Sequence, residues 1–509
     1  MAQANLETLL IEGGGPSYGI TGGDLDARRP AWLNGTRLTR VDVPGLYSSI
    51  FADGGGLTCG SLTNAYGGCT IGGSSAINAG LFFEPPASDF DLYFPQGWKS
   101  TDMVSAIAKL YAMQSSTNIT SGDGKRYLQS GYDAARNWLV TGLGFEETDI
   151  NRYKNNKTQV FGHPIYDYLN GQRGGPVTNY LQKAHKRHNF HLQSGVRVVQ
   201  VQRQLGQATG VVVSINGVEK TIGISECGRV ILSAGAIQTP SLLMFSGIGD
   251  PTVLAQLQAA GKLGNLSSSD WINNTAVGAN LFDNPNTFIE LQSSAVQSYV
   301  YSYADPPITD EDLYLHHPRS GPYTFASQTS VFWDTTTRAD GSIVAFQGTI
   351  DSSGYDQYTN NNTITLNIYG TSGLRSRGAV VLDNNFIPGP SSDVYYSNPE
   401  DSADIAAFIY KIFAGLPSAG LTPLNIPQNA TVDEINTYIT TYSPYARGEV
   451  NHWSSSCGIG SCVDVNTTVI GTSNLHVVDA SIVAPLTVNP QFGIMAAAER
   501  AAELILGMS

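Results

Sequence analysis

The chain has 509 residues, of which 41% are hydrophobic and only 14% charged, and carries a formal net charge of −14. That length exceeds what one hydrophobic core usually fills, so two domains sharing an interface are expected. The acidic balance excludes ordinary nucleic-acid binding, which needs clustered cations, and no run of about eighteen apolar residues is present, so no membrane span is expected.

In chain order, Glu7 to Gly15 reads as a short buried strand ending in Glu12 and three glycines. In a dinucleotide-binding unit this is the second strand, whose terminal carboxylate accepts hydrogen bonds from the adenosine ribose. The matching G-x-G-x-x-G belongs about twenty residues earlier. The expectation is therefore that the first strand and its pyrophosphate loop lie outside this sequence, leaving the middle of a parallel sheet open and the cofactor weakly held. Residues 16 to 66 are loop-rich, and Gly67 to Gly80 is a glycine-rich turn running into small residues suited to a helix start.

Residues 95 to 190 mix helical segments (Met103 to Met113, Ser130 to Thr141) with aromatic loops and are read as an excursion out of the first domain. The basic Lys183 to Arg187 is read as a solvated helix face. Phe190 to Gln202 and Gly210 to Ile224 alternate as strands, Gly228 to Gly235 is a buried parallel strand, and Ala236 to Phe245 is its helix. From Asn284 to Gly448 the period drops to two, with strands at 288–291, 343–350, 363–369 and 379–382, then helices at 401–416 and 431–440. This predicts a second domain built on an antiparallel sheet that forms a wall over the cofactor. The pair His316-His317 is read as surface histidines on a strand, pointing to opposite faces, and no metal site is expected. Ser473 to Ala480 is a strand pattern ending in Asp479, followed by a helix over 493–507.

Two polar groups near the end carry the chemistry. His452 in Val450-Asn451-His452-Trp453 and Asn489 in Asn489-Pro490-Gln491-Phe492 supply an imidazole and an amide. Brought together over one carbon, these take a hydroxyl proton and hold the developing alkoxide. The competing reading of His452 is a hydrogen-bonded structural histidine.

The five cysteines suggest two local disulfides, Cys59–Cys69 and Cys457–Cys462, and a free Cys227. Asn-x-Ser/Thr sequons at Asn34, Asn118, Asn156, Asn265, Asn273, Asn361, Asn429 and Asn466 point to an extracellular, glycosylated protein, although the start of the chain carries no secretory signal pattern.

Gly68-x-x-Ile71-Gly72-Gly73-Ser74-Ser75-x-Ile77-Asn78 through Phe82, Pro85 and Asp91 resembles the first signature of the glucose-methanol-choline (GMC) oxidoreductases. Gly235-Ala236-x-x-Thr239-Pro240-x-Leu242-Leu243-x-x-Ser246-Gly247-Ile248-Gly249 resembles the second. Gly124 to Leu128, Leu169 to Val177, Ser376-Arg377-Gly378 and Asn451-His452-Trp453 are similar to the flavin domain of fungal cellobiose dehydrogenases.

The resemblance implies an α/β FAD-binding Rossmann-like domain (1–95, 190–284 and 449–509) and an α+β substrate domain on an antiparallel sheet (96–189 and 285–448). It implies oxidation of the anomeric CH–OH of a di- or oligosaccharide to a lactone, with hydride passing to flavin N5 and the proton to His452, while Asn489 holds the same oxygen. The FAD contacts implied are Glu12 on ribose, Gly72, Gly73, Ser74, Asn78, Ala79 and Leu81 along the flavin, Val198 at the adenine end, Asp479 and Ala480 near the pyrophosphate, and Gln491 by the pyrimidine edge. Asn451 and Asp351 are the substrate contacts. Asp351 stands where the resembled enzymes carry an arginine, so a monosaccharide or an aryl alcohol is an alternative substrate, and a flavin-free sugar binder an alternative function. The partners implied are the sugar and an external electron acceptor such as a quinone, a heme domain or another redox protein.

Overall fold

The computed structural model describes residues 1–316 and 318–508. Its parallel layer contains β1 (Thr8–Glu12), β2 (Phe190–Ser194), β3 (Val230–Leu232) and β9 (Leu475–Val477). Its antiparallel layer contains β4 (Pro285–Gln292), β5 (Gln328–Thr337), β6 (Ile343–Asp351), β7 (Thr363–Gly370) and β8 (Ala446–Glu449). The main helices are α1 (Ser100–Met113), α2 (Gly235–Phe245), α3 (Pro399–Phe413), α4 (Val432–Thr440) and α5 (Gln491–Gly507).

The parallel layer is in two pieces. β1 pairs with β2, Thr8 opposite Phe190, and β3 pairs with β9, Val230 opposite Leu475, with no ladder joining the pairs. β1 was expected to be buried. Instead Leu9 is 40% and Leu10 45% exposed, and since adjacent strand residues point to opposite faces, neither face of β1 is fully covered. β3 and β9 sit in a large core with Leu243, Phe492 and Ala497 of α2 and α5.

The antiparallel layer is an eight-stranded sheet in which β4, β7, β6 and β5 are consecutive neighbours and β8 pairs with β4. β7 shows why these residues make a wall. Ile364, Leu366 and Ile368 enter one core with Ile289, Leu291, Phe346 and α3, while the intervening Thr365, Asn367 and Tyr369 face the other way, as a period of two demands. α3 starts where Asn398 caps it, accepting from the Glu400 N–H, with Pro399 in its first turn. α4 starts at a Thr431/Glu434 capping box.

Three expectations are corrected. The segment 379–382 does not join the wall: Val380–Leu382 pairs with Pro388–Pro390 in a separate hairpin. His316 caps the C-terminus of a helix, Ile308–Leu315, so the strand argument does not apply to it, and His317 lies outside the described residues. β5 was missed because Val331 and Trp333 enter one core and Phe332 another, so apolar side chains on both faces erase the polar–apolar alternation of a strand. The disulfides Cys59–Cys69 and Cys457–Cys462 and the exposed free thiol of Cys227 are as expected. Among the described residues no helix is long and apolar enough to cross a membrane.

Candidate active site

The site lies where the wall meets the turns after β8 and before α5. Asp283, just ahead of β4, accepts hydrogen bonds from the backbone N–H groups of Asn451 (3.1 Å) and His452 (2.7 Å) and from the Tyr395 hydroxyl (2.6 Å). Burial pushes its pKa up to about 6. Three donors on one carboxylate fix the backbone that presents the imidazole. Asn451 itself has φ 62°, a left-handed conformation that asparagine tolerates better than most residues.

The His452 ring is held at both nitrogens. Nδ1 lies 2.9 Å from Asn284 Oδ1 and Nε2 lies 3.4 Å from Asn489 Nδ2. Desolvation pushes the imidazole pKa down to about 3, so the ring is neutral at physiological pH and keeps one nitrogen lone pair. Asn489 is only 8% exposed. Its Oδ1 accepts from Gln347 Nε2 (2.5 Å) and from the Tyr369 hydroxyl (3.3 Å), which turns its amide nitrogen toward the imidazole. Gln347 and Tyr369 are directly opposite each other on β6 and β7, and the Tyr369 ring stands edge-on to His452 at 5.9 Å. A proton acceptor and an N–H donor thus stand 3.4 Å apart, close enough for one hydroxyl that takes the place of their mutual contact to meet both, as deprotonating a hydroxyl and stabilising its oxygen requires.

Of the other substrate candidates, Asn451 spends its Oδ1 on the Tyr66 N–H and on Trp453 Nε1. Asp351 is four residues further along β6 than Gln347 and accepts from Ser327 Oγ, Gln328 Nε2 and Asn367 Nδ2.

The cofactor candidates fall into three groups. Glu12 stands alone at the end of β1, where its Oε1 accepts from the Gly14 N–H. Asn78, Ala79 and Gln491 form one knot: Asn78 Nδ2 donates to Gln491 Oε1, Gln491 Nε2 donates to Asp167 Oδ2, Arg173 donates to Asn78 Oδ1, and the Ala79 carbonyl accepts from Tyr168. Ser74 Oγ accepts from the Gly68 N–H across the glycine turn. In that turn Gly72 has φ 101°, and a Cβ on it would meet Val177 at 2.7 Å, whereas Gly73 has φ 54° and a Cβ there would meet only the Gly68 carbonyl oxygen at 4.0 Å. Leu81 is buried among Phe83, Tyr166, Tyr168 and Trp333. Asp479 ties the two ends of the third group. It accepts from the Gly235 N–H (2.9 Å) and Thr239 Oγ1 on α2, and from Ser481 N and Oγ. Ala480 packs beside Trp453, and Val198 lines the core under β3.

These residues fit FAD. Gly13 and Gly15 after β1, and Gly235 at the start of α2, have no atom within 4 Å of where a Cβ would stand. Open backbone therefore meets the C-terminal ends of parallel strands and a helix N-terminus, the place where open α/β sheets receive dinucleotides. Among the described residues no group of three or more His, Cys, Asp or Glu side chains is arranged to hold a metal ion.

Sequence reasoning did not single out Asp283, Asn284, Asn286, Gln347 or Tyr369 as site residues. The period of two in β6 and β7 places Gln347 and Tyr369 on the polar face and was the available signal. Asp283 and Asn284 precede their strand and carry none.

Residues 47–286 and 375–498, more than half of the chain, match the N- and C-terminal family profiles described as GMC oxidoreductase. The chain is 27% identical over 489 residues to an oxygen-dependent choline dehydrogenase from Rhizobium rhizogenes, covering 86% of this chain and 82% of that one. It is 26% identical to choline oxidase from Arthrobacter globiformis, covering 86% and 80%. In three dimensions it superposes on a formate oxidase of Aspergillus oryzae studied for its FAD modification (TM-score 0.77, 16% identity, 100% and 95% covered). A fungal aryl-alcohol oxidase superposes at TM-score 0.68 with 16% identity, covering 98% and 94%.

Proposed function

Because this chain belongs to the GMC oxidoreductases, FAD-dependent enzymes that act on CH–OH donors, we propose that it oxidises the anomeric CH–OH of a di- or oligosaccharide, in the manner of the cellobiose dehydrogenases whose motifs it resembles. His452 Nε2 takes the hydroxyl proton. Asn489 Nδ2 donates to the same oxygen, and its orientation is supplied by Gln347 and Tyr369. FAD, when bound, supplies the two-electron acceptor for the hydrogen that leaves that carbon. Glu12, Gly72, Gly73, Ser74, Asn78, Ala79, Leu81, Val198, Asp479, Ala480 and Gln491 are the residues assigned to its cradle, on the unit formed by 1–95, 190–284 and 449–509. The substrate is held by the unit formed by 96–189 and 285–448.

One observation carries the choice of a polyhydroxylated substrate. Asn286 Oδ1 and Gln347 Oε1, both buried, lack a hydrogen-bond partner, and both belong to the face of the wall that carries Tyr369. Unpaired buried acceptors are costly unless a donor reaches them. Sugar hydroxyls are such donors, whereas a trimethylammonium group has no N–H or O–H. The same face continues along the strands in steps of two residues, about 7 Å each, from Gln347, Tyr369 and Asn286 to Thr349, Asn367 and the aromatic Phe288, then to Asp351, Thr365 and Glu290. Two such steps suit a sugar unit beyond the reacting one, with Asp351 and the Nδ2 end of Asn451 as its contacts. The sequons and disulfides support a secreted protein, with a quinone, a heme domain or another redox protein as the external acceptor.

The test is anaerobic mixing of the flavin-loaded protein with cellobiose, lactose, glucose, choline and an aryl alcohol. Bleaching of the flavin absorbance by the disaccharides ahead of the others is the expected outcome. Bleaching by choline or the aryl alcohol alone overturns the sugar assignment, and a flavin-loaded protein that binds the disaccharides without bleaching overturns their oxidation.

A further inference from the structure

We propose that Asn284 is a positioning residue that sets the tautomer of His452, holding the proton on Nδ1 so that the Nε2 lone pair faces the substrate. The inference rests on the reading of His452 as the base and adds the device that makes it one. A neutral imidazole carries its proton on either nitrogen, and only the tautomer with a bare Nε2 accepts a proton on the side facing Asn489.

The hydrogen-bond chain leaves one consistent assignment. Asn284 Nδ2 lies 2.7 Å from the Gly370 carbonyl oxygen, which only accepts, so the amide nitrogen points there and Oδ1 points at the ring. Oδ1 only accepts as well, so Nδ1, 2.9 Å away, is the donor. On the other side the logic runs in reverse. Asn489 Oδ1 is occupied by Gln347 Nε2 and the Tyr369 hydroxyl, so its Nδ2 faces His452 Nε2 at 3.4 Å and meets a lone pair there. The opposite tautomer sets N–H against N–H at Asn489 and lone pair against carbonyl oxygen at Asn284. Two amides of opposite sense, each anchored by the wall, therefore bracket the ring.

Asn284 is 5% exposed and next to Asp283, and the two adjacent residues divide the work. Asp283 grips the backbone of Asn451 and His452, and Asn284 grips the ring. The pairing is neutral. The groups around the ring are Asn284 and Asp283 before β4, Tyr369 on β7 and Asn489 before α5, with Tyr395 bonded to Asp283 and Glu449 of β8 electrostatically coupled to it. Among the described residues no carboxylate is hydrogen-bonded to the imidazole itself, whose two nitrogens meet Asn284 and Asn489. An amide in this place orients the base without strengthening it, unlike the carboxylates that commonly pair with functional histidines.

The test uses the full chain labelled with 15N in its histidines, with His452→Gln identifying the signal among the eight. Long-range 15N–1H correlation of the wild type should show a protonated Nδ1 and a bare Nε2 across pH 5 to 8. In Asn284→Ala the two nitrogen shifts should move toward each other as both tautomers populate, and flavin reduction by substrate should slow about 10- to 100-fold with little change in KM. Asn284→Asp keeps the shape and the acceptor; it should restore the Nδ1–H tautomer while moving the imidazole titration to higher pH. A wild-type ring protonated on Nε2, or an Asn284→Ala ring with unchanged shifts, overturns the proposal. The nitrogen shifts are read without turnover, so a correct tautomer in a protein that no sugar reduces counts against the proposed function and not against Asn284.

Discussion

The antiparallel wall and the parallel layer meet at the same site but are built to different standards. In the wall, β4, β7, β6 and β5 are hydrogen-bonded neighbours along most of their length, and one face fills a core whose members include Ile289, Leu366 and Ile368, all at 0% exposure. In the parallel layer, β1–β2 and β3–β9 are separate pairs, and β1 shows half-exposed leucines at its open edge. The base and its amide partner take their supports from the wall, from Gln347 and Tyr369, whereas Glu12, Asp479 and Ala480 among the residues assigned to FAD end or follow strands of the two halves of the open layer. Proton chemistry should therefore be rigidly specified and cofactor affinity weakly so, since a site is only as precise as the shell that supports it.

The largest effect that separates the two regions is on the base. His452→Gln should lower the rate of flavin reduction by substrate about 10²- to 10⁴-fold while leaving FAD content unchanged, as stopped-flow absorbance and the protein-to-flavin ratio will show. A comparable loss of stability should follow from opening the wall: Leu366→Ala should cost about 2–5 kcal/mol in denaturant unfolding. Leu10→Ala on β1 should stay within about 0.5 kcal/mol. Equal costs would mean that the two layers are equally well packed.

On the cofactor side, Glu12→Ala should weaken FAD binding by about 1.5–3 kcal/mol, the worth of hydrogen bonds to a charged group. It should shrink the rise in Tm that added FAD produces, with the Tm of the FAD-free protein unchanged.

The smallest effect is a pH dependence of the wall. Burial raises the pKa of Glu290 from 4.5 to about 7, so its protonated form favours the folded state. That contribution is complete below pH 4.5, declines from there, and is lost as pH rises through 7. Glu290→Gln cannot ionise, so its Tm relative to wild type should be higher at pH 8 than at pH 4, by about 1–2 °C in a chain of this size. A difference independent of pH would show that Glu290 is not held protonated by burial.

Much of the wall was legible because β6 and β7 alternate apolar core residues with polar ones, so that a period of two survives in 343–350 and 363–369. β5 was not legible, since Phe332 on one face and Val331 and Trp333 on the other are all apolar, which removes that period. The site was legible at His452, Asn489 and the glycine turn around Gly72, where a local pattern carries the chemistry. It was illegible at Asn284, which reaches His452 across 168 positions of chain, and at Asn286, whose importance lies in a missing partner. The hairpin at 380–390 shows the limit from the other side: the alternation was real, but nothing in it says which strand will be the neighbour.

The central claim is that His452 removes the proton from a substrate hydroxyl held by Asn489. The most direct measurement is the anaerobic rate of flavin bleaching by cellobiose in wild type, His452→Gln and Asn489→Ala. A fast wild type, a nearly inert His452→Gln protein and an Asn489→Ala protein slowed about 10²- to 10³-fold is the predicted result. A His452→Gln protein that bleaches at the wild-type rate contradicts it.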